Sequence, residues 1–99
     1  MIDSVTFAKA MTDDTRQQIM QLLCCHSLCV NDVVSRTGVT QPTVSHHLGV
    51  LREAGLVNTR RDGKQVFYTL NQDEVAVCCG MLMQNFAPDK TATETTNAG

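Results

Sequence analysis

Three cysteines and one histidine fall within six positions, 24–29, of a chain of 99 residues. The stretch reads CCHSLC, so Cys24, Cys25 and Cys29 could supply thiolates and His26 an imidazole. Thiolates are the preferred ligands of soft, thiophilic ions. Trivalent arsenic or antimony would take three sulfurs, whereas zinc or cadmium would take four ligands, with His26 as the fourth. The alternative is that the three cysteines serve only as small packing residues.

The way these thiols meet depends on the local backbone. If the stretch is helical, Cys25 and Cys29 are i, i+4 neighbours, and Cys24 joins them only where the helix end loosens. A second adjacent pair, Cys78 and Cys79, lies in a later apolar segment. Cys79 falls on the apolar stripe of that segment, which favours packing between subunits. The alternative is a vicinal dithiol that binds a soft ion.

Composition and charge limit the class of protein. Apolar residues make up 42% of the chain and charged residues 18%, which suits one globular domain. The N-terminus lacks a secretory signal pattern, and no stretch approaches the roughly 18 apolar residues of a membrane span. We therefore expect a cytoplasmic protein with no membrane partner, in which the five cysteines are reduced thiols.

The basic residues are concentrated in one part of the chain. Residues 36–65 contain five basic and two acidic side chains, a local charge of +3, although the whole chain carries −2. The remainder therefore carries −5. This asymmetry indicates one basic face on an otherwise acidic protein, as nucleic-acid binding requires.

Apolar periodicity predicts a mainly α fold with a small β-hairpin. The expected order is a helix over 2–11, a helix capped by Asp13 or Asp14 that ends between Cys25 and Ser27, helices over 29–38 and 40–54, a hairpin over 56–70 and a helix over 71–86. The last helix is apolar on several faces, which favours packing against another subunit. The domain is expected to span 1–86, and the polar tail 87–99 is expected to be disordered.

The third and fourth helices, joined by GVT, make a helix-turn-helix candidate. Val44, Leu48 and Leu51 form the stripe expected to be buried, and His47 should point toward the core edge. The polar face near the N-terminus of the fourth helix then meets the major groove, and it carries Gln41, Thr43, Ser45 and His46.

The hairpin has a turn signal and a basic tip. Asp62-Gly63 predicts a two-residue type I′ turn, which would pair Val57 with Tyr68 and Thr59 with Val66. Phosphate contacts from such a tip gain free energy by counterion release. The residues expected to make them are Arg60, Arg61 and Lys64.

The segment TQPTVSHHLGVLREAGLVNTRRDGKQVFYTL strongly resembles the recognition helix and wing of ArsR/SmtB-type winged helix-turn-helix repressors. MTDDTRQQIMQLL resembles their second helix and LCVNDV the start of their third, so the resemblance covers about residues 5–86. It implies an ααααββα fold and a homodimer joined through the first and last helices. It also implies binding to an imperfect palindrome in double-stranded operator DNA, repression, and release when an inducer shifts the dimer conformation. The family's DNA contacts fall on the seven residues named above in the helix and the wing.

The resemblance leaves several inducers open. The arsenic-responsive type opens its third helix with Cys-Val-Cys and a third Cys three residues on, of which this chain keeps only Cys29. Cys24 and Cys25 are expected to supply the missing thiolates for As(III) or Sb(III), with Cys78 and Cys79 as the alternative site. A cadmium, lead or zinc response and a thiol-redox or persulfide response are also compatible with the family. The family's redox pair would fall near Gln21 and Ala87, where this chain has no cysteine.

An enzyme is not expected. Adjacent cysteines are not the Cys-X-X-Cys of thiol oxidoreductases, and no βαβ pattern surrounds them. The sequence shows no nucleophile with a general base. We also expect no required cofactor.

Overall fold

The computed structural model describes residues 2–90, and its elements follow the predicted order. They are α1 (Ser4–Ala10), α2 (Asp14–Leu23), α3 (Val30–Thr37), α4 (Gln41–Glu53), β1 (Val57–Asp62), β2 (Gln65–Leu70) and α5 (Gln72–Phe86). Residues 88–90 form a further helical turn, and the rest of the tail predicted to be disordered lies outside the described residues. Within 2–90, no helix is long and apolar enough to cross a membrane.

Side-chain caps start three of the helices. Asp3 accepts from the backbone N–H of Thr6 at 2.7 Å, and Asp13 accepts from that of Arg16 at 3.0 Å. Asn71 does the same for α5. Each cap satisfies a backbone donor that has no partner inside its helix. The structure thus chooses Asp13 over Asp14 as the α2 cap.

The core lies where α2, α3 and α4 meet the start of β1 and the inner face of α5. Its fully buried side chains include Ile19, Leu23, Val33, Val44, Leu48, Leu51, Leu56 and Cys78. The apolar stripe predicted for α4 is therefore confirmed. Burial of each large aliphatic side chain stabilises the fold by roughly 1.5–3 kcal/mol.

The predicted end of α2 was two to four residues too late. The helix stops at Leu23, and the chain then becomes extended at Leu28. Leu28 pairs with Tyr68 of β2 through two backbone hydrogen bonds, of 3.1 and 2.8 Å. This pairing needs an extended backbone at Leu28, so the helix cannot run on to Cys29, and Cys24 and Cys25 lie in the turn that ends α2. Cys25 and Cys29 are consequently not neighbours on one helix.

The predicted hairpin register was wrong. Val57 pairs with Leu70 and Thr59 with Tyr68, so the two-residue turn is Gly63-Lys64. Gly63 has φ +64°, and among the described residues only glycines have positive φ. Positive φ at the first turn position alone fits type II′ rather than type I′. Because each partner moved by two residues, every side chain keeps its predicted face.

The buried face of α5 also differs from the prediction. Cys78 is fully buried, whereas Cys79, predicted on the packed stripe, is exposed. Val75, Met81 and Leu82 are partly buried against the core, and α1 packs against the same helix. The difference of one position between Cys78 and Cys79 corresponds to about 100° of rotation of α5 about its axis. The contact with α1 decides that rotation, and it leaves Val77, Met83 and Phe86 exposed.

A partly buried polar network joins α4 to the first two helices. The Arg16 guanidinium donates to the carbonyl oxygens of Ala10 (2.8 Å) and Lys9 (3.3 Å) and to Nδ1 of His47 (3.1 Å). Nε2 of His47 lies 3.7 Å from the Asp13 carboxylate. His47 is only 7% exposed, as predicted for a packed histidine. An acceptor role for Nδ1 requires the neutral imidazole.

Burial of His47 lowers the pKa of its imidazole; nearby Asp13 opposes this shift, and Arg16 and His46 add to it. Because the folded-state pKa lies below the unfolded value of about 6.5, the unfolded chain takes up the proton first. We therefore expect the free energy of unfolding to fall as pH drops from about 7 to 5. In His47→Asn, whose amide oxygen can accept from Arg16, this slope should flatten. Urea unfolding at fixed protein concentration measures it.

His26→Asn, at an exposed position that does not contribute to the His47 shift, is the matched control and should keep the wild-type slope. Equal slopes in wild type and His47→Asn would contradict the assignment.

Candidate DNA-binding surface and thiol cluster

The predicted base-reading side chains form the exposed N-terminal part of α4. Gly38, with φ +72°, ends α3 in a left-handed turn, and Thr40 then begins α4. Val44, His47, Leu48 and Leu51 are buried, so the helix presents its opposite side to solvent. All four residues predicted to face the major groove are exposed there: Gln41, Thr43, Ser45 and His46.

The two adjacent histidines of α4 have different surroundings. Their ring centroids are 5.6 Å apart, but only His47 is hydrogen-bonded to Arg16. His46 lines an open cleft of about 480 Å³ between α1 and α4, together with Lys9, Arg16 and Glu53. His46 is therefore exposed to solvent, outside the hydrogen bonds that hold His47.

The wing places its two arginines on opposite faces. Arg60 lies 5.2 Å above the Phe67 ring, and its Nη1 is 3.7 Å from the Asp62 carboxylate. Both partners of that ion pair are well exposed, so the pair adds little stability. Arg61 pairs with Val66 on the other face. The two guanidinium groups therefore cannot contact one flat surface in the same way.

Recognition helix and wing border a common groove. A cleft of about 280 Å³ is lined by Gln41 at the start of α4 and by Lys64 and Gln65 at the wing turn. Asn31 of α3 also lines it. Neither Asn31 nor Gln65 was predicted from the sequence as a contact residue. Their polarity was visible, but only the packing of α3 beside the wing brings them to this groove.

The structure brings together two of the three predicted thiol ligands. Sγ of Cys24 and Sγ of Cys25 are 3.3 Å apart, and both residues are exposed just after α2. Their hydrogen bond raises the pKa of the Cys24 thiol, with smaller contributions from burial and from the Cys25 charge.

The third predicted ligand, Cys29, has a separate position. It is buried and caps α3, and its backbone N–H donates to the Asp32 carboxylate at 3.3 Å. Within residues 2–90, no three His, Cys, Asp or Glu side chains are grouped closely enough to hold a metal ion. A three-sulfur site therefore requires residues 24–29 to rearrange.

The alternative pair on α5 is divided between core and surface. Sγ of Cys78 is buried, 3.8 Å from a Glu74 carboxylate oxygen. Burial, followed by the Glu74 charge, raises the pKa of the Cys78 thiol. A buried, protonated thiol is a poor nucleophile and a poor metal ligand. Cys79 alone is exposed.

Comparison with known proteins agrees with this architecture. Residues 13–59 match the family model for bacterial regulatory proteins of the arsR family. The chain is 40% identical to the transcriptional activator HlyU of Vibrio cholerae over 79 residues, 80% of this chain and 73% of HlyU. It is 41% identical to the arsenical resistance operon repressor of Staphylococcus aureus over 66 residues, 67% of this chain and 64% of that protein.

Solved structures show the same fold. The structure of Vibrio cholerae HlyU superposes with a TM-score of 0.69 at 38% identity, covering 84% of this chain and 90% of that one. A homodimeric winged helix-turn-helix DNA-binding domain from Mycobacterium bovis superposes at 0.68 with 28% identity, covering 91% and 78%. The chain therefore belongs to the ArsR family of bacterial regulatory proteins and is a winged helix-turn-helix transcriptional regulator.

Proposed function

We propose that this regulator is a homodimeric repressor that leaves its operator when As(III) or Sb(III) binds its thiols. The observation that carries the proposal is the contact between Cys24 and Cys25, 3.3 Å apart at the surface. Two thiols in contact provide a chelate for a thiophilic ion. They lie on the link that leads from α2 into the helix-turn-helix.

The segment between α2 and α3 contacts α5 and the wing, which are the elements that an inducer has to move. The carbonyl of Cys24 accepts from Nε2 of Gln72, at the start of α5, at 3.0 Å. Leu28, four residues on, is hydrogen-bonded to Tyr68 of the wing. Strain at Cys24 therefore acts on both α5 and the wing. Such coupling shifts the dimer away from its DNA-binding conformation, provided that the inducer binds the other conformation more tightly.

Cys29 gives the inducer a direct effect on the helix-turn-helix. In the structure it caps α3, the first helix of the DNA-reading pair. Three-sulfur coordination draws Cys29 toward Cys24 and Cys25 and removes it from that cap. That movement breaks the hydrogen bond from the Cys29 backbone N–H to the Asp32 carboxylate, which stabilises the helix start. Formation of the third As–S bond thus offsets the cost of disturbing the start of α3.

Thiol oxidation is the second candidate trigger. The same two sulfurs are close enough to form a disulfide, with an oxidant taking two electrons and two protons. A persulfide donor RSSH transfers one sulfur to one thiol and leaves as RSH, and attack by the second thiol then forms the same disulfide and releases hydrogen sulfide. A zinc or cadmium response has less support, because four ligands are needed and the Cys24–Cys25 pair supplies two, whereas As(III) needs only one more sulfur.

The dimer is proposed to form through α1 and α5. Both helices carry exposed large apolar side chains: Val5 at 61%, Val77 at 44%, Met83 at 36% and Phe86 at 80% exposure. Such a patch on a small domain favours association. In a dimer with two-fold symmetry the same patch of both subunits lies in the interface, so both copies of each residue are buried.

Phe86→Glu tests the dimer interface. Since Phe86 is largely exposed in one chain, the change should spare the fold. It should raise the dimer dissociation constant roughly a hundredfold, because two buried aromatic side chains are lost per dimer. Sedimentation equilibrium measures this constant. Gln84→Glu, at an exposed position of the same helix, should have little effect, and equal dimerisation by both variants would contradict the interface.

Arg61→Ala tests the wing. Each phosphate contact contributes about 0.9 to the slope of log K against log salt, so the variant dimer should lose roughly two units if both subunits bind through Arg61. Fluorescence anisotropy on operator DNA across a range of salt concentrations measures the slope. Lys90→Ala, beyond α5, removes one charge as a control and should leave the slope unchanged. An unaltered slope in Arg61→Ala would remove this residue from the contact set.

Ser substitutions test the thiol trigger. Arsenite should release the reduced wild-type protein from its operator, whereas Cys24→Ser and Cys25→Ser should need at least about tenfold more, since each loses one sulfur ligand. Cys78→Ser/Cys79→Ser should respond normally. The same anisotropy assay, repeated with hydrogen peroxide, separates the redox trigger. Normal arsenite release in a Cys24/Cys25/Cys29 triple Ser variant would overturn the site.

A further inference from the structure

A small apolar cleft opens beside Cys24. Its volume is about 190 Å³, and it lies between the end of α1, one face of α2 and the end of β2. Met11, Met20 and Leu70 supply apolar walls, and Gln17 and Gln21 stand beside them. Gln17 is held by a hydrogen bond to the Met11 carbonyl, so it shapes the wall. The cleft therefore suits an apolar group attached to whatever Cys24 binds.

The number of thiols in reach points to the kind of ligand. Cys24 and Cys25 are in contact, while Cys29 is buried as the α3 cap and no third ligand joins the pair within residues 2–90. Inorganic As(III) needs three sulfurs and hence a rearrangement. An arsenic atom that already carries one carbon substituent needs only two, and the resting structure provides them.

We propose that Cys24, Cys25 and this cleft bind a monosubstituted trivalent arsenical, with the organic substituent in the cleft. Two As–S bonds form and two As–OH bonds of R–As(OH)₂ break. Each departing hydroxyl takes one thiol proton and leaves as water, and arsenic stays trivalent. This inference rests on the proposed thiol-triggered release and specifies the inducer class.

The cleft also supplies a route to DNA release. Leu70 is the last residue of β2 and lies two residues before the start of α5. Its neighbour in the cleft, Cys24, accepts from Gln72 at that helix start. A substituent packed between them presses on the junction of wing and α5. Release then requires no departure of Cys29 from its cap.

The thiol assignment is tested with phenylarsine oxide on the reduced full chain. Native mass spectrometry should show one phenylarsenic group per chain with loss of two protons, formed with wild type and with Cys29→Ser or Cys78→Ser/Cys79→Ser. Cys24→Ser and Cys25→Ser should lose it. Retained labelling in a Cys24→Ser/Cys25→Ser variant would overturn the proposal.

The cleft is tested with a matched pair of bulky substitutions. Gln21 is exposed and lines the cleft, whereas Gln18 is exposed on the same helix and does not line it. Gln21→Trp should weaken phenylarsine oxide binding about tenfold, since the ring can no longer be buried, and should leave methylarsonous acid binding unchanged. Gln18→Trp should change neither, in calorimetric titrations. Equal effects of the two substitutions would overturn the substituent site.

Operator release with the same compounds separates the two proposals. If phenylarsine oxide labels Cys24 and Cys25 but neither it nor arsenite releases DNA, the proposed function fails and the site stands. If arsenite releases DNA at lower concentration than the phenyl and methyl compounds, the inducer class proposed here is wrong and the repressor function stands.

Discussion

The guanidinium of Arg16 sets the position of the recognition helix. It binds two carbonyl oxygens at the end of α1 and the ring of His47 on α4. The contacts to Ala10 and His47 are partly buried, so losing the donor would leave those two acceptors poorly satisfied. The contact defines which way α4 is rotated, and that rotation exposes Ser45 and His46 while it buries Val44 and Leu48. The DNA-reading face thus depends on one polar contact as well as on the apolar core.

The pairing of Leu28 with Tyr68 determines what the thiols can do. Because the backbone is extended at Leu28, α2 cannot run on into α3, and Cys24 and Cys25 lie side by side at the surface in the turn that ends α2. The segment between α2 and α3 ends at Cys29, where α3 begins. The chain therefore contains one exposed dithiol and one separate, capping thiol. A ligand that needs two sulfurs meets a prepared site, and one that needs three has to disturb the helix-turn-helix.

Local signals predicted most elements well. Helix ends such as Asp13 and Gly38 depend on hydrogen bonds or backbone conformations formed within a few residues, so the sequence places them to within about one residue. The apolar spacing of Val44, Leu48 and Leu51 likewise defined the buried side of α4. The hairpin register was missed because Asp62-Gly63 and Gly63-Lys64 are both plausible two-residue turns. Pairing along the whole strand selects between them.

The sequence by itself determined the fold class, the exposed polar face of α4, the basic wing and the family. These depend on periodicity and short motifs, which act over one or two turns of chain. Only the tertiary structure decided that Cys78 rather than Cys79 is buried, that Cys29 stands apart from Cys24 and Cys25, and that a cleft adjoins Cys24. Each of these follows from contacts between distant segments: α1 with α5, Leu28 with Tyr68, and α2 with the end of β2. Such contacts set helix rotation and loop conformation, which local spacing leaves undetermined.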